Sequence, residues 1–109
     1  MTRAAAIALA LECLAPRLGE KDRAAIIDRA LGSHGLRQAS AQSAAWLALV
    51  SYARHGFTDY DDLLAEGYDR ASARHFTLEA TQAVLDGWGC PHPVAVDDTV
   101  VTQAAGGAR

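Results

Sequence analysis

The densest collection of side chains able to bind or react lies between residues 54 and 75. It comprises Arg54, His55, Tyr60, Asp61, Arg70, Arg74 and His75. If three helices meet here, the cluster forms a pocket for an anion such as phosphate. Helix starts at Thr58 and Asp69 add free backbone N–H groups and positive dipole ends. The same residues also have structural roles open to them. Thr58 and Asp69 are good N-caps, His55 sits where a helix C-terminus welcomes a cation, and Tyr60 can anchor a short helix. Arg70 fits those roles least, because a cation in the first turn of a helix opposes its dipole. It calls for an acidic partner, Asp61 or Glu66, or else an anionic ligand. Arg74, one turn on, shares its face.

Other constellations are weaker. Asp59, Asp62 and Glu66 fall on one helical face, a set that can hold Mg²⁺ with substrate phosphates but equally suits the wet side of a helix start. Cys90 and His92, with Cys13 or His75, are soft ligand types without the paired spacings of a structural zinc site. No Ser/His/Asp or Cys/His order makes a nucleophilic apparatus. Gly32-Ser-His-Gly35 lacks the length and the lysine of a phosphate loop. The residues therefore assign no catalytic group, cofactor or metal ligand.

The elements that must position the cluster read as helices throughout. At 109 residues the chain is one domain, expected over 1–90 with a flexible tail over 91–109. Alanine supplies 24 of the apolar residues, so short helices should pack closely around a modest core. Arg3–Ala15 has the i, i+3/i+4 rhythm, with Thr2 as cap and Pro16 as stop. A second helix is expected over Glu20–Leu31, with Ile27, Ala30 and Leu31 inward and Gly32 as a left-handed terminator. Residues 32–40 form a loop with Leu36 as its apolar peg. The third helix, Ala41–His55, is the most hydrophobic and so the central one, stopped by Gly56. Thr58-x-x-Asp61 reads as a capping box opening a fourth helix over Asp59–Glu66, with Tyr60, Leu63 and Leu64 buried. Asp69 caps a fifth, Arg70–Trp88, with Phe76 on its inner face. Trp46, Trp88, Phe57 and Phe76 are assigned to the core, which has few other large anchors.

The stretch Arg54-His55-x-x-Thr58-x-Tyr60-Asp61-x-Leu63-Leu64-x-x-Gly67-x-x-Arg70-x-x-x-Arg74 adds a resemblance. Within the block from Trp46 to Gly89, it resembles a bacterial family known only as the domain of unknown function 2293. The resemblance extends over about residues 3–90 and excludes the tail. Gly56 departs from the family pattern, standing where a bulkier apolar residue is expected. The family has no established activity, so the resemblance implies a fold and no catalytic residues.

Charge and composition narrow the function classes. The net charge of −3 argues against a general nucleic-acid binder. Residues 1–57 carry seven Lys/Arg and four Asp/Glu, whereas residues 58–109 carry three and nine. Two widely spaced cysteines point to a reducing compartment, and the apolar run Ala4–Leu11, broken by Glu12, reads as an ordinary helix of a cytoplasmic protein. No stretch approaches a membrane span. The expected architecture is an all-α orthogonal bundle of about five helices. The expected role is a non-enzymatic module that binds a protein partner or self-associates. The alternative is a phosphate- or nucleic-acid-binding module built on the Arg/His cluster.

Overall fold

Helix α1 spans Arg3–Leu14, and Thr2 caps it by accepting a hydrogen bond from the Ala5 amide at 3.0 Å. A computed structural model describes residues 1–95, and the described part is all helical. Pro16 ends α1 as expected, with Ala15 already outside helical geometry. Helix α2 (Glu20–Gly32) leads through a single 3₁₀ turn, His34–Leu36, to α3 (Ala41–Phe57), which Ser40 caps through the Ser43 amide. Helices α4 (Tyr60–Ala65), α5 (Arg70–Phe76) and α6 (Leu78–Gly87) complete the order.

The central place expected of the third helix is observed: α3 packs against α1, α2, α4 and α6. Its buried residues Ala44, Ala45, Ala48 and Ala53 are small, so neighbouring helices approach its backbone closely. Ile7 and Leu11 of α1, Ile26 of α2, Leu49 and Val50 of α3 and Leu85 of α6 fill the space between. Leu36 is the expected peg, packed on this core. The Arg3 guanidinium donates to the Leu36 carbonyl at 2.8 Å and so ties the connecting loop to α1.

The described residues form six helices, where five are expected, because Arg70–Trp88 is broken at Thr77. The Thr77 and Thr81 hydroxyls donate to the carbonyls of Ala73 and Thr77, each at 2.8 Å. Such bonds to the preceding turn bend helices, and here they also satisfy two buried hydroxyls. The break lets α5 pack on α4 while α6 packs on α3. It also leaves Phe76 62% exposed, against the expectation of an inner position.

Other local expectations are corrected. Gly32 and Gly56 lie inside α2 and α3, and neither has a positive φ; among the described residues the left-handed glycines are Gly67 (φ 107°) and Gly89 (φ 84°). Each closes a helix with a pair of reversed bonds, Tyr68 N–H to Leu63 O with Gly67 N–H to Leu64 O, and Cys90 N–H to Leu85 O with Gly89 N–H to Asp86 O. Leu31 is exposed, Ile27, Leu63 and Leu64 are half-buried, and Phe57 is 49% exposed. Trp46 and Trp88 pack partly buried against the core.

The expected tail begins inside the packed structure. Val94 is buried, its amide donates to Gln82 Oε1 at 2.8 Å, and Gln82 Nε2 donates to the His92 carbonyl at 3.2 Å. The rest of that expectation, residues 96–109, lies outside the described residues. Among the described residues no helix is long and apolar enough to cross a membrane.

Candidate functional site

The short turn between α3 and α4 brings the first half of the predicted cluster together. The Thr58 hydroxyl donates to the Arg54 carbonyl at 2.6 Å and accepts from the Tyr60 amide at 3.1 Å. One side chain thus closes α3 and starts α4. The expected capping box is not formed, because Asp61 turns away from Thr58. Its carboxylate instead meets His55 Nδ1 at 2.6 Å.

Tyr60 is buried between the Arg54 guanidinium and the His55 imidazole. Its ring lies edge-on to the His55 imidazole, with centroids 4.9 Å apart, and the Arg54 guanidinium carbon sits 5.6 Å from its centroid. The aromatic face offers a buried cation a favourable electrostatic surface. That contact helps an arginine only 5% exposed to stay inside a small domain. On the other wall, Asp69 caps α5 through the Ser72 amide at 2.8 Å, and that bond holds the Asp69 carboxyl below its ordinary value. Arg70 and Arg74 follow at i and i+4 on one face of α5.

These walls enclose a cleft of about 440 Å³. Arg54, His55, Tyr60, Arg70 and Arg74 all line it. Asp61 does not; it holds His55 from outside. His75 is also absent from the lining and packs against Phe76. The cleft's remaining lining comes from residues that sequence reasoning did not assign to the site: Ser33, Gly35 and Leu36 of the connecting loop, Leu47, Val50 and Ser51 of α3, and Leu64 of α4. The α3 members had a legible signal, since Leu47, Ser51 and Arg54 are spaced as one helical stripe. The loop members had none, because the Arg3 bond that seats them spans 33 residues.

The electrostatics of the cleft are one-sided. Among the described residues its lining holds three arginines and a histidine, and no aspartate or glutamate. Arg70 forms no hydrogen bond or ion pair among the described residues; Asp61 is engaged by His55, and Glu66 lies outside ion-pair distance. Arg54 and Arg74 both interact with neighbouring protein groups.

The remaining candidate chemistries are dispersed. Among the described residues no three His, Cys, Asp or Glu side chains stand together as a metal site, so Asp59, Asp62 and Glu66 do not converge. Cys13 is exposed and Cys90 buried, both as free thiols, and burial pushes the Cys90 thiol up. His92 packs edge-on to Trp46 at 6.0 Å.

Fold and site together define a small all-α domain with a cationic cleft where α3, α4 and α5 meet. The family model described as "Uncharacterized conserved protein (DUF2293)" matches residues 10–89, and the chain belongs to this family. Those limits include α4, α5 and every cleft residue. No curated protein and no solved structure matches the chain.

Proposed function

We propose that this protein is a non-enzymatic binding module and that its cleft receives a phosphate-type anionic group. The observation that carries the reading is Arg70, a cation facing the cleft with no protein partner among the described residues. The cleft is cationic although the chain carries a net charge of −3, so its sign reflects local placement. Planar guanidinium groups match the oxygens of phosphate or carboxylate. Of the two roles expected from the sequence, this geometry favours anion binding over partner docking. An extended nucleic acid fits less well than a single phosphate group. Beyond the cleft, α4 and its flanks expose Asp59, Asp61, Asp62 and Glu66, which repel a continuing polyanion. The two free thiols accord with a reducing compartment, the cytoplasm.

The test is a titration of the isotopically labelled protein with inorganic phosphate, followed by amide NMR. Saturable shifts at Ser51, Arg70 and Arg74 that weaken steeply with added salt are expected. Absence of a saturable shift up to about 20 mM, well above a millimolar Kd, overturns the reading.

One observation favours protein docking or self-association as a second reading. Phe76 and Tyr68, 62% and 43% exposed, pack edge to face with centroids 5.6 Å apart. A concentration-dependent mass in light scattering, abolished by Phe76→Ser, would support it.

A further inference from the structure

The anion-binding cleft does not end at its arginines. A second hollow of about 400 Å³ opens beside it, and the two share Ser33, Leu36, Leu47 and Ser51. Along α3 the shared Leu47 and Ser51 continue to Arg54, which lines the first cleft, at spacings of four and three residues that keep one stripe facing the groove. At 1.5 Å of rise per residue the stripe is about 10 Å long. Its ends differ. At one end stand Arg54, Arg70 and Arg74. The far end is walled by the apolar side chains of Leu36 and Leu47, both only partly covered by protein. Between the two ends, Ser51 Oγ accepts a hydrogen bond from the Arg29 guanidinium at 3.2 Å.

We propose that the groove takes an amphiphilic phosphate monoester, with its phosphate at the three arginines and a linear apolar body running past Ser51 over Leu36 and Leu47. This rests on the phosphate-binding reading of the cleft and adds the chemical class of the ligand. A lone inorganic anion uses only the cationic end and leaves the leucines against water. An aliphatic body covers them, and each methylene that leaves water strengthens binding by roughly three- to fourfold. The end of the stripe at Leu47 sets the length, because a body longer than roughly 10 Å returns to solvent.

The experiment compares inorganic phosphate with ethyl, butyl, hexyl and decyl phosphate by calorimetry, below the concentrations at which the longer esters form micelles. Affinity is expected to rise at each step up to hexyl phosphate, by at least tenfold in all over inorganic phosphate, and to level off by decyl phosphate. The methyl resonances of Leu36 and Leu47 should shift with the alkyl esters and stay in place with inorganic phosphate. If inorganic phosphate binds and the esters bind no more tightly, the amphiphile proposal falls while the anion site stands. If no phosphate binds, both fall. A nucleoside monophosphate that outbinds hexyl phosphate also overturns it, because the body selected would then be a polar heterocycle. Leu47→Ser should remove the alkyl gain and retain inorganic phosphate binding; if that variant does not fold, the leucine methyl shifts decide alone.

Discussion

Replacing Arg70 by alanine separates a ligand-binding cation from a structural one, because the two roles predict opposite pairs of outcomes. The side chain is exposed at the first turn of α5, faces the cleft and forms no ion pair among the described residues. Truncation therefore removes no native charge pair, and it relieves a cation opposed to the helix dipole, an effect of a few tenths of a kcal/mol. The melting temperature is expected to hold or rise by up to about 2 °C. Binding should respond differently. A unit charge about 4 Å from a phosphate oxygen contributes roughly 1 kcal/mol in water-like surroundings and up to about 4 at an effective dielectric of 20. The exposure of Arg70 places it near the lower figure, so a loss of about 1 to 2 kcal/mol, or five- to thirtyfold in Kd, is expected for phosphate. Calorimetry with phosphate at low ionic strength and thermal melting read by circular dichroism give the two numbers on the same sample. A fall in melting temperature of about 5 °C or more with phosphate affinity unchanged would refute the reasoning and make Arg70 part of the structural frame. Arg74→Ala is the companion variant: Arg74 also interacts with neighbouring protein groups, so both stability and affinity should fall.

Four further outcomes test the frame around the site. Gly89→Ala should destabilise by about 1 to 3 kcal/mol, since φ is +84° and a Cβ would stand 3.2 Å from Pro16 Cγ; Gly56→Ala, in open helical surroundings, should stabilise by up to about 1 kcal/mol, and chemical denaturation measures both. The Tyr52 hydroxyl donates to Asp22 at 2.6 Å, which together with burial raises its pKa above 10.0, so the folded state favours the neutral phenol. That contribution is complete below about pH 10 and is lost as pH rises through the raised folded value, so the stability gap between the native protein and Tyr52→Phe should close in alkali. Gln82→Ala removes the acceptor of the Val94 amide, whose hydrogen exchange should accelerate by roughly fivefold or more.

Much of the candidate site was legible because its residues lie close together in the chain. Arg54, His55 and Tyr60 are brought together by one turn, and Arg70 and Arg74 by one helical repeat, so spacing alone groups them. The direction of Asp61 was not legible. Its carboxylate had two local partners available, the backbone amides of a capping box and the His55 imidazole, and the angle between α3 and α4 decided for His55. The cleft floor was harder still, because Leu36 and Leu47 belong to different elements and meet only once Arg3 has seated the loop.

What the sequence by itself determined is the class of fold, the extent of most helices and the central role of α3. Those depend on interactions within a turn or on total apolar content: Thr2 and Asp69 bond amides three residues on, Pro16 blocks its own predecessor, and α3 is apolar on more than one face. Tertiary structure alone decided the break at Thr77, the exposure of Phe57 and Phe76, the seating of Val94 and the cleft itself. A periodic run such as 70–88 fits a straight helix or a bent one about equally well by local energy. The bend wins because it lets α5 pack on α4 and α6 on α3, a burial that no residue in the run can register alone.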